Sequence, residues 1–170
     1  FGVFPHLILN QKESFVFKGR NRRPPKDAVN AMLSFVYTLI SNDVTAALET
    51  VGLDPYVGFM HALRPGRPSL ALDIMEELRA YLGDRLVLSL INRKQITGNQ
   101  FLQQGDESII MTDDARRTII SAWQARKKEQ IQHPFLNEKV SIGLLPHIQA
   151  MMLARYLRND LDDYPVFLIQ

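Results

Sequence analysis

Apolar residues recur along this 170-residue chain mostly at the i, i+3, i+4 spacing of amphipathic helices. The longest such run spans 27–51, where Val29, Met32, Leu33, Val36, Leu39, Ile40, Val44, Ala47, Leu48 and Val51 almost encircle the axis. A helix that is apolar nearly all round belongs in a core. Gly52 supplies its expected C-terminal cap. A second helix is expected from Ser69, read as its N-cap, to about Leu82. Gly83 is expected to break or kink the chain before another apolar helix over 84–92. Residues 100–103 and 108–111 read as short strands around Gly105, a small hairpin. Thr112 followed by two aspartates signals a helix reaching about Gln130, with Trp123 as a core residue. A last helix is expected from Ser141 or Pro146 to Asn159.

The irregular stretches bound these elements. Residues 1–26 read as a partly extended lead-in closed by Arg22-Arg23-Pro24-Pro25, followed by a helical core over 27–170. The loop over 54–68 holds three prolines and two glycines and is the longest irregular insertion, the kind of loop that carries function. The class is mostly α, as a single domain.

Composition narrows the class further. With 46% hydrophobic and 22% charged residues, the chain is an ordinary globular sequence, not a disordered or fibrous one. No cysteine is present, which excludes disulfides and thiolate metal sites and fits a reducing, cytoplasmic setting. No unbroken apolar run approaches the ~20 residues that cross a bilayer, so no membrane partner is expected. The net charge of +2 says little, but two basic concentrations, 18–26 and 116–128, are candidate phosphate contacts as well as ordinary solvated faces.

Candidate chemistry gathers in the stretch 58–77. His61 lies in the Pro/Gly-rich loop, and Asp73, Glu76 and Glu77 follow within an arc of about 100° on the expected helix. An imidazole beside carboxylates is a seat for a hard divalent cation, and Arg64 and Arg67 between them suit a phosphate. The same residues also fit a plainer account: acids favour the first turns of helices, and loop histidines are commonly structural. His133 and His147 have no neighbouring carboxylate pattern and read as structural.

Four blocks, in order, resemble one family. They are Asn21-Arg22-Arg23-Pro24-Pro25-Lys26-Asp27 with Asn30, Ala46 through His61, Arg67 through Arg79, and the closing Gln149 to Arg158 with Tyr164-Pro165-Val166-Phe167. Together these are similar to the C-terminal helical domain of the CRISPR-associated integrase/endonuclease of spacer acquisition, closest to type I-C versions. The resemblance implies a DNA endonuclease and integrase that uses Mg²⁺ or Mn²⁺ for phosphoryl transfer, inserting foreign DNA spacers into a CRISPR array. It implies metal and catalytic roles for His61 and Glu76, with Asp73 sharing the role, and DNA contacts by Arg67, Arg64, Arg20, Arg22 and Arg23. The implied partners are double-stranded DNA, a second copy in a homodimer, and a small second adaptation protein.

The family's third ligand, a glutamate, and its N-terminal β domain have no counterpart here and are expected upstream of residue 1. On that reading the chain is a fragment that is inactive alone. The competing reading is a non-catalytic helical DNA-binding or assembly module.

Overall fold

The computed structural model describes residues 2–21, 23–105 and 107–168. Six α-helices lie along these residues, with two small antiparallel hairpins. The mostly α class with a hairpin near 100–111 is what the periodicity predicts. The contacts divide the chain into two compact units, residues 1–38 with 81–124 and residues 39–80 with 125–170.

α1 (Phe4–Leu7) is a single turn inside the otherwise irregular lead-in. α2 (Ala28–Thr50) starts where Asp27 accepts the Asn30 N–H on Oδ1 at 2.7 Å, a carboxylate cap. It ends as expected at Gly52, whose φ of 80° is left-handed. There Leu53 N–H reaches Leu48 O (2.9 Å) and Gly52 N–H reaches Glu49 O (3.1 Å), the paired bonds of a Schellman motif. By length and mean hydropathy alone α2 could cross a bilayer, although polar residues such as Asn30, Ser34, Asn42 and Asp43 interrupt its apolar run. Yet Val29, Met32, Leu33, Val36, Ile40, Val44 and Leu48 are fully buried, so its apolar surface is covered by protein.

In the first unit, α4 (Arg85–Asn92) and the first turns of α5 (Asp113–Lys128) bury Leu86, Val87, Leu90, Ile91, Ala115, Ile119 and Trp123. The lead-in is tied to the end of α4. Asn92 Oδ1 accepts Leu9 N–H at 2.8 Å, and Gln11 Nε2 donates to the carbonyls of Ile91 and Ile96. β1 (Phe101–Gln103) pairs with β2 (Ile109–Met111), Phe101 opposite Met111. Thr112 caps α5 as predicted, its Oγ1 accepting Ala115 N–H at 3.3 Å. Gly83 does not break the chain. Residues Ala80–Asp84 form one π turn through which helical backbone continues to α4.

In the second unit, α3 (Ser69–Arg79) packs against α6 (Leu145–Leu157). Leu70, Ala71, Ile74, Met75 and Leu78 of α3 and Ile148, Ala150, Met152 and Leu153 of α6 are buried. β3 (Gln130–Gln132) and β4 (Lys139–Ser141) make a second hairpin not expected from sequence, its polar strands carrying no glycine between them. Its turn is built on His133, which is buried. The ring Nδ1 accepts the N–H groups of Phe135 (3.3 Å) and Leu136 (3.2 Å). α6 stops two residues before the expected Asn159, because Asn159 turns left-handed (φ 61°) and Asp160 N–H closes back on Arg155 O at 2.8 Å.

Candidate metal and phosphate site

The loop over 54–68 and helix α3 hold each other in place. Pro55 O accepts the N–H groups of Leu70 (2.9 Å) and Ala71 (3.2 Å), satisfying two donors that open α3. Ser69 is therefore not the N-cap expected from sequence. It is the first helical residue, and its buried hydroxyl donates to Ala62 O at 3.2 Å. In return, α3 offers Asp73 to the loop. Oδ2 accepts the N–H groups of Phe59 (2.7 Å) and Met60 (3.0 Å), while Oδ1 accepts the His61 N–H (2.9 Å) and the His61 ring Nδ1–H (2.6 Å).

Gly58 makes this approach possible. A Cβ there would stand 2.7 Å from both Asp73 Oδ2 and the Ser69 carbonyl carbon, closer than any side chain tolerates. Farther along, Pro65-Gly66 turns the loop tightly: Arg67 N–H reaches Arg64 O at 3.0 Å, and Gly66 takes φ 71°.

The electrostatics follow from the donors. Burial pushes the Asp73 carboxyl up, but the Met60 N–H, the His61 ring and the N–H groups of Phe59 and His61 outweigh it and hold the group below the ordinary aspartate range. Asp73 is a fixed anion whose side chain is wholly buried, and its four acceptor positions are taken. That leaves no lone pair for direct metal ligation, so the ligand role expected of Asp73 has no geometric support. What Asp73 does is fix the His61 tautomer. With Nδ1–H directed at Asp73, Nε2 carries the lone pair on a ring that is 25% exposed. Metal-ligating histidines almost always donate their second ring N–H in this way.

Glu76 lies one helical turn beyond Asp73, half-buried. Its Oε1 accepts Arg79 Nη1 at 2.7 Å, and Oε2 has no protein partner among the described residues. No group of three or more His, Asp or Glu side chains able to hold a metal occurs among the described residues. Among the described residues, His61 Nε2 and Glu76 Oε2 are the two atoms of the expected ligand set that keep a lone pair open.

The basic residues separate into different roles. Arg64 is exposed and Arg67 half-buried on the loop that carries His61, and neither has a carboxylate partner among the described residues. Arg20 belongs to the other unit and faces inward. Its Nη1 donates to Asn30 Oδ1 (2.7 Å) and its Nη2 to Ser34 Oγ (3.0 Å), with the guanidinium 5.4 Å from the Tyr37 ring centre. Such an arginine braces α2, so the DNA contact expected of Arg20 is corrected to a structural one. Arg23 is exposed, and Arg22 lies outside the described residues.

Sequence reasoning passed over Pro55, Gly58 and the partners of Glu77. The first two had a signal, since a proline and a glycine in the loop ahead of His61 are backbone devices. Glu77 had none. It points away from the site and meets residues far along the chain.

Comparison with known proteins identifies the family. The family described as CRISPR associated protein Cas1 matches residues 1–125. A CRISPR-associated endonuclease Cas1 of Rhodospirillum rubrum is 58% identical over 97% of this chain and 48% of its own length. The chain spans about half the length of such curated relatives. Among solved structures, a Cas1 protein from Thermotoga maritima superposes with a TM-score of 0.82 at 28% identity, covering 92% of this chain and 47% of that one. A chain of a Cas6-RT-Cas1–Cas2 complex superposes with the same score at 27% identity, over 98% of this chain and 18% of that one. With a relative this similar across nearly every residue, and a family match over most of the chain, this protein belongs to the Cas1 family of CRISPR-associated proteins.

Proposed function

We propose that this chain is the catalytic helical portion of a divalent-metal-dependent DNA endonuclease and integrase that adds spacers to a CRISPR array. The observation that carries the reading is the Asp73–His61 bond, because a buried carboxylate that fixes an imidazole tautomer and leaves Nε2 free is the arrangement a metal-binding histidine needs. His61 and Glu76 would hold Mg²⁺ or Mn²⁺, with a glutamate that the family resemblance puts upstream of residue 1 as the third ligand. The ion would polarise the scissile phosphate and stabilise the leaving oxygen.

The chain's own residues do the rest. Asp73, through Phe59, Met60 and His61, holds the loop rigid against α3, so the imidazole is aimed before any DNA arrives. Arg64 and Arg67, without a carboxylate partner among the described residues, neutralise phosphate oxygens and orient the strand. Arg23 contacts backbone without reading sequence.

Duplex DNA, a second copy and a Cas2-type adaptation protein are the proposed partners. The likeness of this chain to one in the Cas6-RT-Cas1–Cas2 complex supports the Cas2-type partner. The test is Mn²⁺-dependent nicking and strand joining by the full-length protein. His61→Ala and Glu76→Ala are expected to lower either rate at least a hundredfold while duplex binding persists. Undiminished cutting and joining by both variants overturns the proposal.

A further inference from the structure

Glu76 and Glu77 are adjacent on α3 but meet different partners. Glu76 keeps Oε2 open, whereas both oxygens of Glu77 are bonded. Glu77 Oε2 accepts the Phe167 N–H at 2.7 Å and Gln149 Nε2 at 2.9 Å, and Oε1 accepts the Tyr164 hydroxyl. Gln149, fully buried on α6, also reaches Tyr164 Oη (3.0 Å) and Pro165 O (3.2 Å) through the same Nε2. Phe167 then buries its ring against His133, centroids 5.7 Å apart. One carboxylate therefore joins α3, α6 and the closing segment.

Apolar packing alone would hold α3 to α6 at lower desolvation cost than a half-buried acid, for a Leu at 77 would fill the same space. A carboxylate differs in demanding register. Sliding the tail by one residue removes the Phe167 N–H and the Tyr164 hydroxyl together and leaves the half-buried acid with Gln149 Nε2 as its one remaining donor of the three. The helix locked in this way is the one that presents Asp73 and Glu76, and the residue that does the locking adjoins Glu76.

We infer that Tyr164–Phe167 is a strap fastened to Glu77, and that Glu77 is a positioning residue that sets where α3 holds Asp73 against His61. The inference rests on the proposed metal site. Loosening the strap lets α3 shift, which slackens the bonds from Asp73 to the Phe59, Met60 and His61 amides.

The test compares Glu77→Gln and Tyr164→Phe with the parent in the full-length protein. The metal-free readout is amide hydrogen exchange at residues 59–61 and 69–79. Exchange at the Phe59, Met60 and His61 amides is expected to speed up at least tenfold in either variant, although neither substitution touches them. With Mn²⁺, kcat for nicking is expected to fall about tenfold with KM for DNA unchanged. A lowered melting temperature with unchanged exchange at 59–61 and unchanged kcat overturns the inference, leaving Glu77 a structural residue only. Faster exchange in a protein whose nicking is indifferent to His61→Ala retains the strap and sinks the metal-site reading instead.

Discussion

His61 Nδ1 and Asp73 Oδ1 stand 2.6 Å apart, joining a proline-rich loop to the middle of a helix twelve residues further on. The same carboxylate takes three consecutive backbone amides, so loop path, ring tautomer and helix position are settled by one buried anion. The full-length protein is the setting in which each substitution below should be read.

Replacing Asp73 removes the anion and leaves three part-buried amides without their acceptor. Asp73→Ala is expected to destabilise the protein by about 1–3 kcal/mol, read by denaturant melts. Activity should fall about 10–100-fold, the usual consequence of losing the partner of a metal-bound histidine. Retained activity with intact metal affinity would show that His61 needs no orienting carboxylate.

Gly58→Ala tests the close approach. The added methyl meets Asp73 Oδ2 and the Ser69 backbone at 2.7 Å, and neither is the end of a flexible side chain free to move aside. The loop must lift, at a cost of about 1–3 kcal/mol, and nicking should fall with it. Alanine at Gly105, whose Cβ position is open, is the control and should melt like the parent.

The arginines should separate by assay. Arg64→Ala and Arg67→Ala are expected to leave melting unchanged and to reduce the salt dependence of duplex binding by about one unit of slope for each lost phosphate contact. Arg20→Ala should do the reverse, lowering stability through Asn30 and Ser34 while leaving the slope alone. A changed slope for Arg20→Ala would return it to the DNA interface.

His133 gives the pH dependence. Burial holds its ring below the ordinary histidine value of 6.5, the Gln149 side chain opposing this only in part. The unfolded chain thus binds the proton more readily than the folded one, so stability rises with pH through the window just below 6.5 and is lost on acidification. Protonation also turns Nδ1 from an acceptor into a donor facing the Phe135 and Leu136 amides. Melts between about pH 7.5 and about pH 5 should show this slope in the parent and a flatter one in His133→Asn.

The helices of this protein were readable from the chain because each depends on its own residues. The apolar period of α2, the Gly52 stop and the Thr112 start are local, and local geometry repeats wherever the residues do. So was the neighbourhood of the site, since a histidine loop followed by acids on one helical turn is a spacing. The division of labour was not. Asp73, Glu76 and Glu77 are three like acids in five positions, and their sequence spacing cannot say which faces three amides, which keeps an oxygen open and which meets a tail ninety residues away. Likewise Arg20 and Arg64 are both loop arginines, told apart only by what surrounds them. A carboxylate's role is decided by the donors that reach it, and those arrive through the folded backbone from positions the local pattern does not contain.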